Sequence, residues 1–126
     1  MPAHSFDYAI IRLTPRIERG ESINVGVVVF CRTKRFLVAP THCDQERLQA
    51  LDASCDIATI QEHLAVFTAV AHGDPSAGPI GALPIAERFH WLVAPRSTII
   101  TTTSVHSGIC NDPELVVSHL LQKLVY

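Results

Sequence analysis

The sequence predicts an α+β fold: an antiparallel sheet of about four strands, opened by a β-meander, packed with three to four helices. Three observations carry that expectation. Residues 6 to 39 hold three short β-rich runs joined by tight links. Two later segments repeat apolar residues at helical spacing behind aspartates that suit helix starts. A fourth β-rich run, residues 98 to 104, lies between two helical segments near the C-terminus.

The elements follow in order. Phe6 to Leu13 mixes aromatic and β-branched residues and stops before Thr14-Pro15, as a strand ended by proline does. Residues 14–22 form a long charged connection containing Gly20. Ile23 to Cys31 (INVGVVVFC) is almost continuously apolar, which predicts a central strand covered on both faces. Arg32-Thr33-Lys34-Arg35 makes a basic hairpin turn, and Phe36 to Ala39 returns as a third strand that ends at Pro40. Thr41 and Asp44 are spaced as in a capping box, with Leu48, Leu51 and Cys55 recurring at helical spacing behind them. Asp56 is placed to cap a second helix, whose Ile57, Ile60, Leu64, Phe67 and Ala71 form an apolar stripe closed by Gly73. Residues 73–84, with three glycines and three prolines, read as a loop. Ile85 to Val93 reads as a short helix holding the single tryptophan. Val105-His106-Ser107-Gly108 reads as a turn. Asp112-Pro113-Glu114 starts a last helix with Val117, Leu120, Leu121 and Leu124 facing inward.

A chain of 126 residues, 48 % hydrophobic and 17 % charged, is expected to form one domain over 1–126 with a core of its own. That composition excludes a disordered chain. No apolar run approaches the ~20 residues needed to cross a bilayer, so no membrane association is expected. The N-terminus lacks the basic and apolar regions of a signal peptide, and Cys31, Cys43, Cys55 and Cys110 are scattered without a CxxC pair. Both features predict a cytoplasmic protein with reduced thiols. The net charge of −2 argues against nucleic acid as a partner, but the charge is uneven: residues 1–36 carry +3 and residues 37–126 carry −5. An anionic partner would meet the first hairpin.

Two polar clusters could carry chemistry. In the first, Arg12, Arg19, Glu21 and Asn24 converge near one end of the first hairpin if its strands pair. Arginine clamps phosphate or carboxylate, glutamate can act as a base, and asparagine can orient a ligand. The structural alternative is an internal ion pair, with Asn24 bonding backbone at a bulge and Gly26 permitting close packing. In the second, Arg96 with Ser97 suits an oxyanion, and His106 beside a glycine could exchange protons. Its alternative is a helix stop followed by a turn. Neither histidines nor cysteines show metal-ligand spacing, so no metal is expected, and no cofactor is implied. There is no P-loop, GxGxxG, GxSxG or kinase signature.

The pattern Tyr8, Arg12, Pro15, Arg19-Gly20-Glu21, Asn24-Val25-Gly26-Val27-Val28 and Phe30 resembles the opening of a bacterial family catalogued as domain of unknown function 3037. The run Ala86-Glu87-Arg88-Phe89, Trp91, Ala94-Pro95-Arg96-Ser97-Thr98, Val105-His106-Ser107-Gly108 and Asp112-Pro113-Glu114 is similar to its second half. Cys110-Asn111 departs from the polar turn expected there, and residues 40–84 carry no matching motif. The resemblance implies an uncharacterised, stand-alone bacterial protein, sometimes encoded beside a protein with a HipA-like kinase fold, and so a possible protein partner of that kind.

Three functions follow as expectations. The first is a non-enzymatic accessory module that binds a protein partner. The second is a binder or enzyme for an anionic small molecule or nucleotide, using Arg12, Arg19, Glu21, Asn24, Arg96, Ser97 and His106. The third is a nucleic-acid adaptor using the basic hairpin of Arg32, Lys34 and Arg35.

Overall fold

A computed structural model describes residues 3–96 and 98–126. Its centre is a five-stranded antiparallel sheet. Strands β1 (His4–Leu13), β2 (Ile23–Cys31) and β3 (Phe36–Val38) form the expected meander, and β4 (Ile100–Thr102) and β5 (His106–Cys110) both pair with the other side of β1. β4 lies against Ile11–Leu13 and β5 against His4–Tyr8. The link between them stays attached: Ile10 donates its amide to Thr103 Oγ1 at 3.0 Å, and Thr103 donates its own to the Ile10 carbonyl at 2.9 Å.

The β1–β2 register slips once, so that Ile11 faces Gly26 while Arg12 faces Asn24. Val25 is therefore the extra residue of a β-bulge. The bulge reverses which face the strand's outer half presents. Val25, Val28 and Phe30 join one core, and Val27 and Val29 join a second core on the opposite face. All five are buried, each valine contributing on the order of 1.5–3 kcal/mol. Gly26 is required at the bulge by close approach: a Cβ there would lie 2.6 Å from the Pro40 carbonyl oxygen. That approach is held by the Gly26–Thr41 bridge and by the His42 amide donating to the Val25 carbonyl at 2.6 Å.

Helices cover both faces of the sheet. On one face lie α1 (Gln45–Leu51), α2 (Ile57–His72) and α3 (Ile85–Val93), contributing Leu48, Ile60, Leu64, Phe67, Val70, Phe89 and Leu92 to the larger core. On the other lies α4 (Pro113–Leu120), continued by a wider helical turn over Leu121–Val125; Val117, Leu120, Leu121 and Leu124 all pack there, as their spacing predicts. The expected caps form at Asp56, Gly73 and Asp112. Gly73 takes the left-handed conformation (φ 68°) that ends α2.

Five local expectations need correction. The cap of α1 is Asp44, which accepts from the amides of Glu46 and Arg47, because Thr41 is already committed to its bridge with Gly26. Cys55 lies beyond α1, which ends at Leu51. The proline- and glycine-rich segment coils into short 3₁₀ turns over Pro75–Ala82, started by Asp74. The strand expected over 98–104 shrinks to three residues, and the expected turn at 105–108 is largely β5. There Gly108 lies under the Phe6 ring and Ser107 Oγ donates to Asp7 at 2.6 Å, so cross-strand contacts outweigh the weak β-propensity of Ser and Gly.

Candidate functional site

The first polar cluster is built into the hairpin. Arg12 Nε donates to Asn24 Oδ1 at 3.3 Å, and Asn24 Nδ2 donates to the Leu124 carbonyl at 2.9 Å. Asn24 thus fastens the bulged strand to the C-terminal turn. Arg19 and Glu21 form an exposed ion pair within the turn itself. The turn is closed by the Gly20 amide on the Arg16 and Ile17 carbonyls, with Gly20 at φ 70°, and Arg16 reaches Asp52 at 3.5 Å.

Arg96 sits on the opposite side of the sheet. Its Nη1 donates to the Leu92 carbonyl at 2.8 Å and to that of Ala94 at 3.2 Å, and its Nη2 donates to the Trp91 carbonyl at 2.8 Å. The guanidinium carbon lies 4.7 Å from the Trp91 ring centre and 4.9 Å from that of Phe67. A cation here satisfies the free carbonyls at the end of α3 and stacks on two rings. Burial draws its pKa below the ordinary arginine value. Ser97 lies outside the described residues.

His106 lies on β5 directly opposite Tyr8, with ring centres 5.4 Å apart, and its side chain is exposed. That pair lies four steps along β1 from the Arg12–Asn24 pair, roughly 13 Å at strand rise. The residues are thus spread along β1 and across two faces. Arg96 lines a groove of about 460 Å³ with Ile17, His63, Phe67 and Ile100, and none of Arg12, Arg19, Glu21, Asn24 and His106 lines it.

Two features escape the sequence reading. One is a groove of about 670 Å³ between α2 and the segment 41–43, walled by His42, Gln61, His72 and Asp74 over Leu64, Ala65 and Ala69. Its signal is the second stripe of α2, where Gln61, Ala65, Ala69 and His72 recur at helical spacing beside the apolar one. Burial lifts the thiol of Cys43, also on this wall, above its ordinary value, with Asp44 adding to the shift, so it is no ready thiolate.

The other is the outer edge of the sheet. β4 and β5 pair only with β1; the Thr98 hydroxyl donates to the Ile100 carbonyl of β4 at 2.7 Å, and β5 is left as a bare edge among the described residues. Residues 97–111 contain no Asp, Glu, Lys, Arg or Pro. Ile109 on β5 is 75 % exposed, Leu115 on α4 is 68 % exposed, and both border a groove of about 370 Å³ whose lining includes Phe6, Val116 and Leu120. The other edge, β3, is three residues long, follows the Arg32–Arg35 turn and is ended by Pro40, the ordinary protections of an edge strand.

Among the described residues, no group of three or more His, Cys, Asp or Glu is placed to hold a metal, and no helix is long and apolar enough to cross a membrane. No curated protein and no solved structure matches the chain. A family model described as a protein of unknown function (DUF3037) matches residues 8–125, which covers both polar clusters, the sheet from Tyr8 onward and the C-terminal helix. The chain belongs to the DUF3037 family.

Proposed function

We propose that this chain is a protein-interaction module and that the bare edge formed by β5 receives a β-strand from its partner. One observation carries the reading: an uncharged, proline-free edge strand exposes Ile109 beside an apolar groove. Unpaired strand edges template further strands, and proteins ordinarily blunt them with charge or proline. Main-chain hydrogen bonds then supply affinity, and a side-chain groove supplies selectivity. The polar side chains that first suggested catalysis support this reading, since Arg12, Asn24 and Arg96 are engaged in holding the fold. The test is selection of binding peptides from a random displayed library, with Ile109→Lys as counter-target. Extended sequences with alternating apolar residues that bind the wild type and not the variant are expected. A selection whose peptides bind both proteins equally would remove the edge from the account.

A second reading rests on the α2 groove. His42 and His72 face a space of about 670 Å³, large enough for a small anion or nucleotide. A thermal-shift screen against phosphates and nucleotides tests it. A rise in melting temperature that is lost in both His42→Ala and His72→Ala supports the reading, and the absence of any rise removes it.

A further inference from the structure

We infer that the strand received at this edge is β5 of a second copy of the chain, joined antiparallel about a two-fold axis near Gly108. The inference rests on the open-edge reading above and names its occupant.

Charge is the first argument. A strand that meets its own copy sets like residues near one another, and like charges directly opposite destabilise a pair. From residue 97 to residue 111 there is no fixed charge to repel. A heterologous partner would be selected most simply by complementary charge, and this edge offers none. The opposite edge follows Arg32, Lys34 and Arg35, so the same molecule guards one edge against self-pairing and leaves the other unguarded.

Register is the second argument. An antiparallel pairing centred on Gly108 sets Ser107 against Ile109 of the second copy, and His106 against its Cys110. Ile109 pairs with Ser5, an exposed position of β1, on the face opposite Tyr8 and His106. The two Ile109 side chains would lie diagonally across the new seam on that face, within reach of each other.

Helix placement is the third. A two-fold axis perpendicular to the sheet keeps both copies of α4 on one face. Leu115, exposed beside the edge, would then meet the corresponding helix of the second copy, and the groove bordered by Phe6 and Leu115 would close from both sides. Such a contact is isologous, the same patch serving both molecules. Both cores would extend into one ten-stranded sheet.

Sedimentation equilibrium and amide hydrogen exchange test the inference together. The wild type is expected at twice the monomer mass in the high-micromolar range, with exchange over residues 105–111 slowing as concentration rises. Ile109→Lys is expected to be monomeric with an unchanged far-ultraviolet spectrum. If that variant loses structure, Leu115→Lys replaces it, because Leu115 is also exposed and its loss leaves the core intact. A wild type that stays monomeric at every concentration overturns the second copy as occupant. So does a dimer that persists in the variants and leaves residues 105–111 exchanging freely. A synthetic peptide of residues 104–112 separates the two layers of the account. If the wild type is monomeric yet this peptide protects 105–111, only the second copy is overturned. If neither protein nor peptide protects those amides, the open-edge reading falls too.

Discussion

The side-chain amide of Asn24 donates to the carbonyl of Leu124, 2.9 Å away, and so ties the bulged central strand to the last turn of the chain. Of the two roles the sequence offers Asn24, orienting a ligand or bonding backbone at a bulge, it fills the second, as a clasp between the central strand and the C-terminal turn. Asn24→Ala should cost about 1–3 kcal/mol, because it also leaves Arg12 Nε and the Leu124 carbonyl without this partner. Urea denaturation followed by circular dichroism reads the loss as a lower midpoint at unchanged slope.

Gly26 gives a sharper prediction. Its missing Cβ would stand 2.6 Å from a backbone oxygen, with Thr41 Cγ2 at 3.1 Å and Ile11 Cδ1 at 3.2 Å. Backbone cannot rotate aside as a flexible side chain does. Gly26→Ala should therefore destabilise by about 1–3 kcal/mol, the cost of overpacking a closed site, and lower the melting temperature by several degrees.

Much of the fold is legible in the sequence because its signals are local. Asp56, Gly73 and Asp112-Pro113 mark helix ends by their own backbone chemistry, and the three meander strands are punctuated by Pro15, Gly20 and Pro40. The second half of the sheet is harder to read. β5 contains Ser107 and Gly108, poor strand formers, and exists because Phe6 and Asp7 of β1 hold them from a hundred residues away. The same limit governs the site. Arg12, Asn24 and Arg96 advertise polarity, but their partners are the carbonyls and rings of elements far apart in sequence, or of a helix end just behind them. The edge left its trace only as a missing property, the uncharged run from 97 to 111.

Arg96 tests the distinction between structural and ligand-binding arginines. Its three carbonyl acceptors and two stacked rings require a planar fork, which lysine lacks. Arg96→Lys should lose about 1–3 kcal/mol of stability, with Arg96→Ala losing at least as much. A lysine variant as stable as the wild type by thermal unfolding would show the fork to be dispensable.

Acid stability follows from the aspartates at turns and helix starts. Hydrogen bonds from Thr59 hold the Asp56 carboxyl below its ordinary value of 3.8, and those from Ser76 and Ser54 do the same for Asp74 and Asp52. A carboxyl lowered in the folded state contributes stability that is present above the unfolded value and lost as pH falls through the folded one. Unfolding midpoints should hold from neutral pH down to the usual carboxylate range and then decline. Asp56→Asn should flatten that decline while lowering stability at neutral pH only slightly, since asparagine also caps helices.

The central claim is that the β5 edge is a surface built to be covered by another strand. Residue-resolved hydrogen exchange over His106–Cys110, compared between micromolar and millimolar protein with β3 as internal control, tests it most directly. Exchange along β5 should slow with concentration while exchange along Phe36–Val38 does not change. Equal exchange along β5 at both concentrations, with the peptide of residues 104–112 giving no protection, would contradict it.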